Sequence, residues 1–229
     1  MDRIRPSAVS VRPEGAADAP TRLIGAAIEL FGRKGFEATS TREIARAAGV
    51  NIAGIAYHFG GKQGLYEACA SHIAGFVRSR IEQRLGTIDP ARPESRTPEQ
   101  AVAALREMLS AMIGLLLATP QMASFARFVL REQMDPSPAF DILFEATMEP
   151  LHMHICQLWS AATGEPADAE ETIARMLGLL GQVFMFRLAR AGALRRLGWT
   201  DMGGRETMVV ERMVHGSLDA LLAAARRRP

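Results

Sequence analysis

Cysteine and aromatic residues are scarce in this chain of 229 residues, which contains two cysteines, two tryptophans and two tyrosines. Cys69 and Cys156 lie far apart and beside helical patterns. A disulfide framework is therefore not expected, and two buried thiols in a reducing, cytoplasmic compartment are favoured. Net charge is also small, because 27 basic and 25 acidic residues leave only +2. Any surface for nucleic acid must therefore be local rather than spread over the whole chain.

Long apolar runs and export signals are missing as well. The most apolar runs cover residues 108–118 and 176–186, well short of the roughly 20 residues that a membrane-spanning helix needs. Residues 1–20 mix Arg, Pro, Gly and Asp without the apolar stretch of a signal peptide, which predicts a flexible tail. No membrane partner is expected.

Helical spacing of apolar residues begins at Thr21 and dominates the rest of the chain. Ile24, Ala27, Ile28 and Phe31 fall on one face of a first helix, which we expect to end at Gly35. No segment alternates convincingly like a β-strand, so the pattern predicts an all-α protein.

Two short helices follow the first. Ser40 and Glu43 have the spacing of a capping box, which predicts a helix over about 41–48. Asn51 is a good N-cap for another helix to about His58, which the glycines 60–61 end. A fourth helix then carries four apolar residues on one face, namely Leu65, Cys69, Ile73 and Phe76.

These spacings divide the chain into a tail (1–20), a small helical domain (21–70) and a larger helical domain (71–229). The larger domain is expected to contain helices over about 97–118, 121–133, 139–163, 168–197 and 205–226. Polar segments rich in proline or glycine separate these patterns.

The segment 40–59 has the features of a helix-turn-helix. Ala45 permits a close helix crossing, and Gly49 can adopt the left-handed conformation of the turn. Ile44, Val50 and Ile55 supply apolar contacts between the two helices. In such a unit the second helix enters the major groove with its N-terminal residues against base edges. The sequence therefore predicts that the helix after Asn51 reads DNA.

The same segment resembles the DNA-binding domain of TetR-family transcriptional regulators. The resemblance is carried by Gly35-Phe36, Thr39, Thr41, Ile44-Ala45, Ala48-Gly49-Val50, Tyr57-His58-Phe59, Lys62 and Leu65. The strings NIAGIAYHFGGKQGLY and REQMDPSPAF are similar to its CecR-like branch. This resemblance implies a ligand-responsive homodimer, in most cases a repressor, whose C-terminal domain binds an effector and dimerises through the last two long helices.

The resemblance also implies roles for particular residues. Those expected to contact operator DNA are Thr39, Thr41, Arg42, Asn51, Ile52, Ala53, Gly54, Tyr57, His58 and Lys62. Helix N-termini and hydroxyls suit phosphates, whereas Asn51 can hydrogen-bond a base and Ile52 can meet a thymine methyl. Packing within the small domain is the alternative for Tyr57 and His58. Many family members carry a tyrosine where this chain has Ala56, so discrimination between DNA sequences is expected to depend largely on DNA shape.

A small apolar or aromatic effector is the second expected partner. The candidate residues are Met112, Phe125, Phe128, Arg131, Gln182 and Phe186, because methionine and phenylalanine adapt to varied ligands and a few polar groups orient them. Ordinary core packing is the alternative for each of them. Arg131 needs a partner near its apolar neighbours, and Glu132 or Asp135 is the internal alternative.

Other constellations favour no further chemistry. His152 and His154 lie two apart and point to different sides of a helix, so only His152 and Cys156 share a face, and no metal or other cofactor is expected. No nucleophile converges with a base, so no enzymatic activity is expected. Two hypotheses remain, a sequence-specific DNA-binding regulator and, as the alternative, a helical protein-interaction module without a specific operator.

Overall fold

The computed structural model describes residues 18–86 and 96–227, and these ranges contain only helices and connections. The N-terminal part, which is the expected DNA-binding part, holds α1 (Ala19–Lys34), α2 (Thr41–Ala48), α3 (Ala53–Phe59) and the first half of α4 (Lys62–Leu85). The remaining helices are α5 (Pro98–Ile113), α6 (Met122–Met134), α7 (Pro138–Leu143), α8 (Glu149–Thr163), α9 (Glu170–Leu188), α10 (Arg190–Leu197) and α11 (Gly204–Ala225). The predicted all-α class is confirmed, whereas most of the expected tail lies outside the described residues.

The turns of the N-terminal part are closed by nearby residues. The Ser40 hydroxyl accepts the Glu43 amide and the Glu43 carboxylate accepts the Ser40 amide, both at 3.2 Å, as the capping box requires. Gly49 has φ +62° and ψ +38°, the left-handed conformation that glycine adopts without strain. Helix α3 begins two residues after Asn51, whose Oδ1 accepts the Ala53 amide at 2.9 Å. The predicted helix-turn-helix is therefore present.

The larger domain departs from straight helices in two ways. A π-helical turn, Gly114–Ala118, extends α5, and a second one, Phe144–Met148, joins α7 to α8. The prediction of a single helix over 168–197 is wrong, because α9 ends at Leu188 and α10 leaves it at 80°. Neither proline nor glycine marks this bend, which an ion pair between Arg190 and Asp201 accompanies.

One hydrophobic core runs through both parts of the molecule. Phe31 of α1 and Phe128 of α6 are both 0% exposed, and both thiols are buried, as expected. Within the described ranges one helical segment, Pro98–Ala118, is long and apolar enough to cross a membrane, and α9 with α10 would count as a second only if the bent pair were one span. In Pro98–Ala118, Leu105, Met108 and Leu109 are at most 1% exposed, so that segment supplies the centre of this core.

Helix α6 lies against α1 at very short range. A Cβ added at Gly32 would lie 3.2 Å from the Ser124 carbonyl oxygen and 3.3 Å from the Phe128 amide nitrogen. Arg131 extends from α6 to the end of α1, where it donates to the carbonyls of Gly32 and Arg33 at 2.9 Å. These contacts fix where the N-terminal part sits relative to the larger domain.

Candidate nucleic-acid interface

Helix α3 presents an exposed row of side chains above a buried anchor. Ile52 and Tyr57 are 47% and 84% exposed, whereas Ile55 on the opposite face is 2% exposed. Ala53 and Ala56 lie in the same exposed row. A tyrosine and an isoleucine kept in water on so short a helix are suited to contact a partner.

The placement of α3 depends on its junction with α4. The segment turns sharply at Gly60, and Gly64 then packs directly on the end of α3. A Cβ built at Gly64 would lie only 2.0 Å from the Phe59 carbonyl oxygen. No larger residue fits there without moving one helix away from the other.

Asn51 has one half of its side chain engaged. Its Oδ1 closes the turn before α3 through the Ala53 amide, so its amide N–H₂ group is the part best placed to donate to a base. Donors of this kind suit the acceptors of the major groove, namely N7 of guanine or adenine, O6 of guanine and O4 of thymine. Asn51 is therefore expected to contact a base as a hydrogen-bond donor and not as an acceptor.

Helix α2 supplies cationic and hydroxyl groups beside α3. Thr41 is half-buried in the first turn and Arg42 is exposed, and their role as phosphate contacts stays a prediction. Arg46 is also exposed one turn further along, so it shares a face with Arg42. Arg46 is not among the residues expected from the sequence to contact DNA, although its spacing of four residues from Arg42 makes it a further candidate.

The interpretation of Thr39 as a phosphate contact needs correction. Thr39 is 1% exposed, and its hydroxyl donates to the Gly35 carbonyl at 2.7 Å. Its amide donates to the Phe36 carbonyl at 3.2 Å. Both donors therefore hold the turn between α1 and α2 together, and Thr39 positions the unit from inside.

Lys62 lies at the first position of α4 with its charge over an aromatic ring. Its Nζ is 4.2 Å from the centroid of Phe36 and 3.5 Å from the Glu37 carbonyl oxygen. The lysine remains half-buried rather than enclosed. His58, one turn before it, is exposed, and its ring lies 4.8 Å from that of Tyr57.

The aromatic contact of Lys62 continues into the larger domain. Phe36 packs edge-on against Tyr66 with centroids 5.0 Å apart, and Tyr66 lies 4.7 Å from Phe128 of α6. The Tyr66 hydroxyl donates to the buried carboxylate of Glu132 at 2.5 Å. Burial first, and then this hydrogen bond, raise the pKa of Tyr66 far above its ordinary value, so the phenol stays a donor.

The second carboxylate oxygen of Glu132 accepts two further hydrogen bonds. Although Glu132 is only 3% exposed, it accepts the Ser137 hydroxyl at 2.8 Å and the Ser137 amide at 3.2 Å. A buried carboxylate with three donors ties α4 to α6 and to the start of α7. The sequence analysis considered Glu132 only as a partner for Arg131.

The expected effector residues lie on three helices, α5, α6 and α9. Phe125 lies edge-on to Phe76 of α4, with centroids 5.2 Å apart, and Gln182 accepts the Ser217 hydroxyl at 3.0 Å. Met112 is 7% exposed and Phe186 is half-buried against the core. Arg131 forms an ion pair with neither Glu132 nor Asp135 within the described residues but caps α1, because the carbonyls there lack helical partners.

A groove of about 490 Å³ lies elsewhere, between α6 and the junction of α9 with α10. None of the six expected effector residues lines it. Within the described ranges no group of three or more His, Cys, Asp or Glu side chains is placed to hold a metal ion. His152 does share a face with Cys156, with 3.8 Å between Nδ1 and Sγ.

The fold and the exposed face of α3 define a class, the helix-turn-helix DNA-binding proteins with a separate helical domain. Residues 23–69 match the family described as bacterial regulatory proteins, tetR family, and residues 101–225 match the C-terminal domain of the HTH-type transcriptional dual regulator CecR. The HTH-type transcriptional dual regulator CecR of Shigella flexneri is 36% identical over 92% of this chain and 94% of its own length. The chain therefore belongs to the TetR family of transcriptional regulators.

Solved structures show the same fold. A transcriptional regulator from Pseudomonas aeruginosa has a TM-score of 0.67 at 19% identity and covers 95% of this chain and 96% of its own. AibR, solved with isovaleryl coenzyme A and operator DNA, has a TM-score of 0.60 at 16% identity, with coverage of 86% and 96%. Family members are typically ligand-responsive repressors that bind operator DNA as dimers. The alternative of a protein-interaction module without an operator is not favoured.

Proposed function

We propose that this protein is a homodimeric, effector-released repressor that reads its operator through the exposed face of α3. The observation that carries the proposal is the contrast on that helix between Tyr57, 84% exposed, and Ile55, 2% exposed. Ile52, Ala53 and Gly54 would approach base edges and thymine methyls, while the amide of Asn51 donates to a base.

Phosphate contacts flank this reading face. Thr41 and Arg42 lie at the N-terminus of α2, where free amides and the helix dipole favour anions. Tyr57, His58 and Lys62 would hold the backbone on the other side, and Arg46 joins this set because it is exposed on the face of Arg42. Most of these contacts position the protein, and few distinguish bases.

The dimer seam is assigned to α9 and α11. Ile173, Leu177, Phe184 and Leu188 form an apolar stripe along α9 and are 38% to 55% exposed. Met208 and Met213 of α11 are 52% and 40% exposed. A contiguous apolar stripe of this length on a small protein favours a two-fold, self-complementary interface.

The same proposal covers location and chemistry. A regulator of this kind acts in the cytoplasm, associated with the nucleoid, and catalyses no reaction. Its effector is a small molecule with an apolar or aromatic part, as the family implies. The isovaleryl coenzyme A bound by AibR supports the idea that such a ligand can carry charge as well.

A gel shift with DNA from upstream of the protein's own gene tests the proposal. Specific retardation is expected, with at least about a thousandfold preference over a randomised pool. Binding neither to that region nor to any member of the pool would overturn the proposal and favour the protein-interaction module.

The variant Asn51→Ala adds a test of the reading face. It is expected to relax preference at one position of each half-site by about 1 to 3 kcal/mol. Ser71→Ala, on the exposed surface of α4, is the control. Equal losses on specific and random DNA would remove Asn51 from the reading set.

A further inference from the structure

The groove between α6 and the α9–α10 junction combines apolar walls with arginine. Leu117, Leu130, Leu188 and Met202 supply apolar surface. Arg127, Arg187 and Arg190 also line it, together with a single acidic residue, Asp201. Three positive charges therefore stand against one negative charge in the lining.

Two of these arginines have acidic partners. Arg127 binds both carboxylate oxygens of Glu29 on α1, at 2.9 and 2.8 Å. Arg190 pairs with Asp201, whose pKa is lowered by the Met202 amide and, to a smaller extent, by Arg190. The one acidic side chain of the lining, Asp201, is therefore already paired with Arg190.

Arg187 differs from its neighbours, since no acidic side chain within residues 18–86 and 96–227 forms an ion pair with it. Burial lowers the pKa of its guanidinium, and the charges of Arg190 and Arg127 lower it further. A guanidinium nevertheless stays charged in proteins. The lining thus holds a half-buried positive charge surrounded by like charges, which favours an anion from outside.

We propose that this groove binds an anionic amphiphile, whose carboxylate or phosphate contacts Arg187 while its apolar part lies against Leu117, Leu130 and Met202. The inference rests on the proposed function and specifies the class of effector. A planar guanidinium donates two parallel hydrogen bonds to either headgroup, and the apolar walls provide the transfer free energy for the tail.

A ligand in the groove can also affect the DNA-binding part, through Arg127. Arg127 belongs to both, because it lines the groove and holds Glu29 in the middle of α1. A bound anion competes with Glu29 for Arg127 and loosens one contact between α6 and α1. Both side chains of that ion pair are nearly half-exposed, at 45% and 46%. Its loss alone therefore lowers operator affinity by no more than about fivefold.

Calorimetric titration of the full chain with octanoate, octyl phosphate, 1-octanol and inorganic phosphate tests the proposal. Octanoate, octyl phosphate or both are expected to bind at least about tenfold more tightly than octanol, and more weakly as salt rises. The stronger of the two identifies the headgroup. Equal binding of octanol, binding of inorganic phosphate as tight as octyl phosphate, or no binding of either amphiphile would overturn the proposal.

Arg187→Gln is expected to abolish the preference for the anion, while Arg195→Gln, which removes the same charge from an exposed site on α10, leaves it intact. Circular dichroism confirms that each variant is folded. If Arg187→Gln weakens dimerisation about tenfold and keeps the anion preference, a carboxylate of the second copy neutralises Arg187 and the proposal is wrong. The titrations contain no DNA, so a failure of operator binding is seen separately in the gel shift.

Discussion

The DNA-binding part and its junction with the larger domain are held by contacts of very different reach along the chain. The turn before α2 is closed by Ser40 and Glu43, three positions apart, whereas Arg131 reaches Gly32 over 99 positions. Short-range contacts set the shape of the helix-turn-helix, and long-range contacts set its position on the core. Shape and position can therefore be disturbed separately.

The largest expected effect comes from breaking the shape at Gly64. Gly64→Ala places a Cβ 2.0 Å from the Phe59 carbonyl oxygen. The two atoms cannot approach so closely, so α3 and α4 must separate. We expect a loss of about 3 kcal/mol or more in the free energy of unfolding and no specific DNA binding. Urea titration and a gel shift measure the two effects.

Gly75→Ala is the matched control on the same helix. A Cβ at Gly75 meets no atom within 4 Å, so alanine should stabilise α4 by up to about 1 kcal/mol. If both variants lose stability equally, the close approach at Gly64 is not the cause.

Weakening the contacts that position the DNA-binding part should have the second largest effect on stability and operator binding. Tyr66→Phe keeps the aromatic packing but removes the donor that Glu132 accepts at 2.5 Å. Because a charged, buried acceptor loses a partner, we expect a loss of about 1.5 to 3 kcal/mol in the free energy of unfolding. The structure of α3 should survive, with weaker operator binding.

A double-mutant cycle of Tyr66→Phe with Glu132→Leu isolates this hydrogen bond, because leucine offers no acceptor. The cycle should show a coupling energy of at least about 1 kcal/mol. Additive losses would mean that the two side chains act independently and that this contact does not fix the position of the unit.

Lys62→Ala should have a smaller effect on stability and a distinct effect on DNA. Loss of its contact with the Phe36 ring, at 4.2 Å, should cost about 0.5 to 1 kcal/mol. If Lys62 also neutralises a phosphate, the slope of log affinity against log salt shrinks by about two units in a dimer. Lys34→Ala, which removes a lysine paired with Glu43, is the control. An unchanged salt slope in Lys62→Ala would mean that Lys62 contacts no phosphate and acts only within the protein.

The smallest effect is expected at the capping box, as a function of pH. The hydrogen bond from Lys34, and then that from the Ser40 amide, lower the pKa of Glu43 from 4.5 to about 2. A carboxyl with a lowered folded-state pKa adds stability that is fully present above its unfolded value and is lost as pH falls towards the folded value. In Glu43→Gln the melting temperature should therefore fall less steeply than in wild type between about pH 4.5 and pH 2. Parallel curves of melting temperature against pH in the two proteins would contradict this. Glu37→Gln is the control.

The helix-turn-helix could be predicted closely because its determinants are local. The capping box predicted the helix over 41–48, which is observed as Thr41–Ala48, and Gly49 has the predicted left-handed conformation. Asn51 was placed correctly at the turn, although the helix begins two residues later. Residue spacing is sufficient evidence where partners lie within a few positions.

The position of that unit and the groove could not be predicted in the same way. Arg131 carries an ordinary surface side chain in the sequence, but it donates to the carbonyls of Gly32 and Arg33 at the end of α1, which only the folded chain brings near. The bend after Leu188 follows a sequence that is compatible with a continuous helix. Arg187 became a candidate only because the fold places it in one groove with Arg127 and Leu130 of α6.

Hydroxyl-radical footprinting of the operator tests the central claim most directly, since that claim is that two copies of α3 read DNA across a two-fold axis. The account predicts two symmetric protected patches whose centres lie about 34 to 36 Å apart, or a multiple of that distance. Both patches should vanish together in Gly64→Ala and persist in Gly75→Ala. A single unsymmetric patch, or a wild-type footprint in Gly64→Ala, would contradict the account.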